Sequence, residues 1–192
     1  GNASAKVDVY DTSLTHTMAT NLTGIPREYV RGASVGNYAL FAGGQQFEKK
    51  SNVLWEVFMV DAYDASLTKT RASNLGSNKN RDAAATVGNH AVFVGSPDSA
   101  DIYDASLTRT SAAILSTART GLAATTVGNY AIFSGGGVAD VCDTSLTRSS
   151  IGTSMTGYDM GAATIGDYAL FAGGQSGENS GTAYDSVEVY TA

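Results

Sequence analysis

Short runs of apolar residues recur along the whole chain, separated by glycines and polar turn residues. One run is apolar at nearly every position and occurs four times, at residues 38–42, 90–94, 130–134 and 168–172. A second pattern alternates apolar and polar residues, as in Val-Asp-Val-Tyr at 7–10 and Val-Glu-Val-Tyr at 187–190. Alternation predicts a strand with one exposed face, whereas the continuous run predicts a strand buried on both faces. Helical periodicity is missing, so the pattern predicts an all-β protein.

Both patterns belong to a repeated unit. The phrase Val-Gly-Asn-Tyr-Ala-Leu-Phe-Ala-Gly-Gly at 35–44 has near-copies at 87–96, 127–136 and 165–174. The phrase Tyr-Asp-Thr-Ser-Leu-Thr at 10–15 has near-copies at 63–68, 103–108 and 142–147. The hairpin glycines of the copies (Gly36, Gly88, Gly128 and Gly166) are 52, 40 and 38 residues apart. A period of about 40 to 50 residues is typical of β-propeller blades.

Each unit divides into four predicted strands. A short strand of small residues is followed by a tight Gly-Asn or Gly-Asp turn, because these residues tolerate positive φ. The apolar second strand, the alternating third strand and a polar fourth strand come next. Predicted burial therefore falls from the second strand to the fourth in every unit. That gradient favours a radial array, in which inner strands lie between neighbouring sheets and outer strands face water.

At this point the sequence resembles the kelch repeat family. The resemblance rests on the strands that run from Tyr38 and Tyr168 into Gly-Gly, on the Phe133 to Gly136 segment, and on the strand ends at Tyr63-Asp64 and Tyr190. The family also favours an arginine before the first strand, where this chain has Arg27, Lys79, Arg119 and Gly157. The family's tryptophan in the fourth strand is missing. The resemblance implies a β-propeller that acts as an interaction platform, similar to bacterial and prophage-encoded arrays of near-identical repeats.

The predicted fold is one domain over residues 1–192, a small kelch-like propeller of about four blades with four antiparallel strands each. Three units span residues 31–78, 79–118 and 119–156, and a fourth combines residues 1–30 with 157–192, so that strands from both termini close the ring. The third strand occurs five times and the other strands four times. The spare third strand either pairs at the rim, where it also offers a site for self-association, or marks a longer array or a multi-chain ring.

Composition narrows the possible partners. The chain carries 12 basic and 18 acidic residues, for a net charge of −6, and its pI is near 4.7. A nucleic-acid partner is not expected, because such proteins need a basic surface. No apolar run is long enough for a membrane-inserted helix. Cys142 is the single cysteine, so neither an internal disulfide nor a cysteine-based zinc site is expected.

Candidate chemistry is sparse. Asp11, Asp64, Asp104 and Asp143 recur at one repeat position, which indicates turn capping rather than a ring of metal ligands. His16 and His90 replace basic or tyrosine residues of the other copies, and Cys142 replaces tyrosine, so all three are interpreted as repeat variants. No set of titratable residues converges in the sequence. We therefore expect no enzymatic activity, no metal and no cofactor.

Two long connections between second and third strands are the main departures from the repeat, at residues 45–56 and 175–186. In a closed ring they would be neighbours, and we expect their residues to form a ligand-binding patch: Phe47, Lys49, Lys50, Trp55, Glu178 and Tyr184. The alternative is that Trp55 extends the third strand and packs on its neighbour. The expected function is a non-catalytic binding module for a protein or glycan. The alternative function is a structural module of a virion, tail fibre or surface filament, and an extracellular or virion-associated location is favoured.

Overall fold

A computed structural model describes residues 4–48, 53–76, 80–96, 99–153, 156–177 and 181–192. All regular secondary structure in these ranges is β-strand, and every paired strand is antiparallel to its neighbour. None of the described segments forms a helix that could cross a membrane. The prediction of an all-β protein is confirmed.

The strands form four successive sheets and two separate hairpins. The N-terminal hairpin consists of β1 (Val7–Tyr10) and β2 (His16–Ala19). The first sheet contains β3 (Arg31–Val35), β4 (Tyr38–Ala42), β7 (Val60–Tyr63) and β8 (Lys69–Arg71), and the insert hairpin contains β5 (Gln45–Glu48) and β6 (Val53–Glu56). The second sheet contains β9 (Asn80–Val87), β10 (His90–Ser96), β11 (Ser99–Tyr103) and β12 (Arg109–Ala113). The third sheet contains β13 (Ala123–Val127), β14 (Tyr130–Gly135), β15 (Val138–Asp143) and β16 (Arg148–Ile151). The fourth sheet contains β17 (Gly161–Ile165), β18 (Tyr168–Ala172) and β19 (Val187–Thr191).

The first strands of successive sheets lie side by side around a common centre: β3 beside β9, β9 beside β13, and β13 beside β17. Hydroxyl groups link them at one repeat position. The hydroxyl of Thr86 donates to the carbonyl of Ser34 at 2.8 Å, that of Thr126 to Thr86, and that of Thr164 to Thr126. The four sheets therefore radiate from a shared inner rim, as the repeat predicted.

Successive sheets pack face to face through complementary side chains. Leu40 and Val60 of the first sheet pack against the second sheet, which contributes Phe93 and Tyr103 to the same core cluster. All four side chains are buried. Because alternate residues of a strand point to opposite faces, the second strand of an inner sheet needs apolar residues at every position. This explains the continuous apolar runs in the sequence.

The Asp-x-Ser-Leu-Thr turns between third and fourth strands are capped as predicted. Asp11 Oδ1 accepts hydrogen bonds from the backbone N–H groups of Ser13 and Thr15 at 2.9 and 2.8 Å. The other three turns repeat this geometry, with Asp64, Asp104 and Asp143 as acceptors. The hydrogen bond from the Ser13 hydroxyl and the backbone bond from Thr15 lower the pKa of Asp11. The pKa values of Asp64 and Asp104 are lowered for the same reasons in their turns.

A third-strand carboxylate ties each inner sheet to the connection that enters it. Asp61 accepts from the guanidinium of Arg27 at 2.8 Å, and both side chains are fully buried. Asp140 accepts from Arg119 at 2.7 Å and from the Ser116 N–H at 2.9 Å. Burial works against ionisation of Asp140, but these hydrogen bonds and the Arg119 charge outweigh it and lower its pKa. The arginines that the kelch resemblance singled out therefore act as partners of buried carboxylates.

Tyrosine hydroxyls make a second tie of the same kind. Tyr63 donates to the Thr20 carbonyl at 2.6 Å and Tyr103 to the Ser73 carbonyl at 2.7 Å. At the equivalent position of the third sheet, Cys142 is fully buried and packs against the second sheet. The interpretation of Cys142 as a packing substitute for tyrosine is therefore confirmed.

Among the described strands, none of the N-terminal hairpin pairs with a strand of the fourth sheet, as the expected terminal sheet required. The N-terminal hairpin is a separate sheet, and Val7 and Val9 of β1 pack it against the first sheet around Tyr63. At the other end, β19 pairs with β18 along its whole length. Since β19 fills the third-strand place beside β18, that place is not open to β1. The described strands of residues 1–30 and 157–192 therefore belong to different sheets, one packed on the first sheet and the other on the third.

We predict that Asp61→Asn destabilises the protein by about 3–5 kcal/mol, because it leaves the Arg27 charge buried without a counter-ion. The matched control is Asp8→Asn at the same repeat position, where the side chain is 58% exposed. It should change stability little. Urea unfolding followed by circular dichroism measures both. Equal losses for the two variants would contradict a special role for the buried pair.

We also predict that Cys142 is unreactive in the native protein. Burial, with a smaller contribution from Asp143, raises the pKa of its thiol to about 11, so almost no thiolate exists near neutral pH. A thiol reagent such as DTNB should react only as fast as the second and third sheets separate. The rate should therefore rise with urea in parallel with unfolding. Rapid reaction of the folded protein, at the rate of the unfolded control, would show that this interface is open.

Candidate functional site

The connections that leave the second strands lie at the same edge of the array as the connections between sheets. Glu28 and Gln45 exchange two backbone hydrogen bonds of 2.8 Å, and Tyr158 and Gln175 exchange two of 2.9 and 3.0 Å. The Asp-capped turns lie at the opposite edge, where Gly36 approaches Ala105 of the following sheet. Insertions into the repeat therefore extend from one edge only, which we call the loop edge.

The insert hairpin is the larger departure from the repeat that the structure describes at this edge. Gln46 pairs with Trp55, and the backbone of Phe47 pairs with Leu54. All four residues of β6 are exposed, and 55% of the Trp55 surface is accessible. Trp55 therefore does not extend the third strand β7, which begins at Val60, and that alternative is wrong.

An open groove of about 360 Å³ lies at the base of this hairpin. Its apolar lining comes from Trp55, Phe58, Met59 and Ile25. Its polar lining comes from Gln46, Glu56 and Asn74. The groove thus joins the insert hairpin to both flanking connections, because Ile25 precedes the first sheet and Asn74 follows it.

Backbone hydrogen bonds fix the floor of the groove. The N–H of Val57 donates to the Gly44 carbonyl at 2.9 Å, and the N–H of Leu75 donates to the Phe58 carbonyl at 2.8 Å. Gly24 has φ +86°, and a β-carbon there would lie 2.9 Å from Met59 Cε. A side chain at residue 24 would therefore displace Met59. The floor is formed before any ligand arrives, which lowers the entropy cost of binding.

The groove offers contact surface and hydrogen bonds. Trp55 supplies a large rigid ring with a polar N–H. The amides of Gln46 and Asn74 both donate and accept, and the carboxylate of Glu56 accepts. This combination of an aromatic anchor and a polar rim is typical of a recognition surface.

The second long connection folds back on its own sheet. Gln175 forms backbone bridges to Tyr158 and Ala183, and the Tyr184 N–H donates to the Gly174 carbonyl at 2.9 Å. The Tyr184 side chain is half-buried, with its hydroxyl 3.3 Å from Thr156 Oγ1. Tyr184 therefore packs beside the fourth sheet.

The six residues of the expected patch have different outcomes. The structure places Trp55 on the insert hairpin of the first sheet and Tyr184 beside the fourth sheet, so the two aromatic residues belong to different sheets. The backbone of Phe47 lies in β5, but its side chain is outside the described part of the chain. Lys49, Lys50 and Glu178 also lie outside the described residues. The expected patch required a closed ring, and among the described residues no hydrophobic core cluster joins the fourth sheet to the first.

Sequence reasoning missed the residues that complete the groove: Ile25, Met59 and Asn74. They come from irregular connections, in which no periodic pattern marks the buried side. Gly24 is the one feature that could have drawn attention to this region, since glycine between sheets often permits a close approach.

Polar groups elsewhere in the described ranges pair locally. Asp8 Oδ1 and His16 Nε2 share a hydrogen bond of 2.8 Å on the N-terminal hairpin. Among the described residues, no group of three or more His, Cys, Asp and Glu side chains is placed to hold a metal ion.

Comparison with known proteins supports the fold. No protein-family model matches the sequence, and no curated protein matches it. Among solved structures, 165 chains match, and one of them is YjhT. YjhT superposes with a TM-score of 0.69 at 12% identity, over 90% of this chain and 72% of the YjhT chain. At that identity the likeness shows the fold alone. The radial antiparallel sheets and this likeness together show that the chain has an all-β, propeller-like fold.

Proposed function

We propose that the chain is a non-catalytic binding module of the kelch type, which takes a protein or glycan partner in the groove beside Trp55. The observation that carries the proposal is an exposed tryptophan at the mouth of a preformed groove. The kelch assignment draws support from the Arg27–Asp61 and Arg119–Asp140 pairs, which give the repeat's arginine a structural role.

Binding at this groove needs no rearrangement of the sheets. The first sheet, from which the insert hairpin extends, buries its core residues against the second sheet. Covering a large aromatic side chain in such a place commonly contributes about 2 kcal/mol or more to affinity. The groove residues sit on connections, where a repeat protein accepts sequence change without loss of its core.

The charge of the site bears on the partner. Glu56 lines the groove, and the chain as a whole carries a net charge of −6. An acidic ligand would be repelled, so a neutral glycan or a neutral or basic protein segment is favoured. The amides of Gln46 and Asn74 match either the hydroxyls of a sugar or the backbone of a peptide.

A second candidate function is a structural subunit of a larger assembly. A different observation favours it: both ends of the array expose apolar residues whose repeat equivalents are buried. This function does not need the groove.

We predict that Trp55→Ala weakens ligand binding strongly while the fold stays intact. Trp55 is the single tryptophan of the chain, so its fluorescence reports directly on the groove. An immobilised glycan library and a peptide library should each be screened with the wild-type protein. A hit should shift the tryptophan emission, and its affinity should fall about 30-fold or more in Trp55→Ala, as expected for an interface hot spot.

The matched control is Tyr130→Ala, which removes an exposed aromatic residue outside the groove. It should keep wild-type affinity. A ligand that binds Trp55→Ala as tightly as the wild type would place the binding surface elsewhere. A glycan hit and a peptide hit distinguish the two classes of partner.

A further inference from the structure

The outward face of the fourth sheet is apolar and uncovered. Ile165 is 70% exposed, Val187 57% and Val189 51%. By strand register, these three residues correspond to Val35, Val60 and Ala62 of the first sheet. Those three residues of the first sheet are at most 1% exposed. The two sheets differ in exposure because the second sheet covers those residues of the first sheet.

Contacts between inner sheets show which residues pack against such a face. The first sheet's face is covered by Phe93, Tyr103 and the turn residue Leu107 of the second sheet. The hairpin glycines add a second contact. A β-carbon on Gly36 would lie 2.9 Å from Ala105, and one on Gly88 would lie 3.0 Å from Thr144. A β-carbon on Gly166 of the fourth sheet would meet nothing within 4 Å.

The N-terminal hairpin exposes the third-strand and turn residues of the other side of this contact, without a counterpart of Phe93. Tyr10, Thr12 and Leu14 occupy the repeat positions of Tyr103, Ala105 and Leu107. Tyr10 is 64% exposed and Leu14 is 79% exposed, whereas Tyr103 is buried and Leu107 packs against the preceding sheet. The hairpin's opposite face, with Val7 and Val9, is already packed on the first sheet.

We infer that these two faces bind each other between copies of the chain, head to tail. The N-terminal hairpin of one copy covers the fourth sheet of the next, and the junction continues the inter-sheet contact already made three times within each copy. A second copy is the occupant because one chain holds both halves, exposed at opposite ends of its array. Such a contact is heterologous, so it builds a ring or an open filament.

Polar groups at the junction are compatible with burial. Asp8 takes the repeat position of the buried Asp101 and already pairs with His16 at 2.8 Å. The Asp8 carboxylate therefore keeps a partner on its own hairpin when the junction covers it. Each copy carries a net charge of −6, so the copies repel one another at low ionic strength. Association should strengthen with added salt.

The test uses one blocking variant for each face of the 192-residue chain. Val189→Lys places a charge on the fourth-sheet face. Leu14→Asn removes the apolar contact of the hairpin and keeps a residue that tolerates the local φ of 61°. Both positions are exposed within one chain, so both variants should fold, as circular dichroism and thermal unfolding will verify. Leu54→Lys on the insert hairpin is the matched control, exposed and outside both faces.

Light scattering and sedimentation from micromolar to millimolar concentration give the readout. Wild type and Leu54→Lys should associate beyond the 19.7 kDa monomer, and each blocking variant alone should stay monomeric. An equimolar mixture of the two blocking variants retains one intact pair of faces, so it should form a dimer that grows no further. A wild-type monomer at all concentrations and in high salt would overturn the inference. So would blocking variants that still self-associate, or a mixture that stays monomeric. Trp55→Ala should associate like wild type, so this result is separate from ligand binding at the groove.

Discussion

The packing of one sheet against the next is the interaction on which the rest of this structure depends. Each inner sheet has two apolar faces, and neither can be buried except by a neighbour. One face carries aromatic residues such as Phe93 and Tyr103, and the other carries aliphatic residues such as Leu40 and Val60. The apolar second strands, the turn leucines Leu107 and Leu146 and the hairpin glycines Gly36 and Gly88 serve this contact. Because the contact is made between neighbours, the two ends of the array remain open.

A second constraint acts where the chain passes from one sheet to the next. These connections carry polar backbone groups into the space between sheets, and they need partners there. The carboxylates of Asp61 and Asp140 and the hydroxyls of Tyr63 and Tyr103 supply them. The connections are thereby held in fixed positions at the loop edge. An insertion such as the β5–β6 hairpin can rest on this edge and form a groove without disturbing the cores below.

The groove and the open faces are separate consequences of the repeat. The groove arises where one unit departs from the common pattern, and it draws residues from three segments around the first sheet. The open faces arise where the pattern is kept but a neighbour is missing, as the exposed Ile165 and Leu14 show. A ligand at the loop edge and a second copy at an end face would not compete for the same residues.

The sequence by itself determined the elements and their local contacts. Period-two alternation, the Gly-Asn turns and the Asp-capped turns identified the strands, because these features depend on residues close together in the chain. The repeat also assigned Cys142 to a tyrosine's packing position. Only the tertiary structure decided that the N-terminal hairpin stays apart from β18 and β19, that Trp55 and Tyr184 are separated, and that Ile25, Met59 and Asn74 meet at one groove. The physical reason is that ring closure depends on the angles between sheets, summed over every interface. No local pattern in the sequence encodes that sum, whereas each strand is specified by its own few residues.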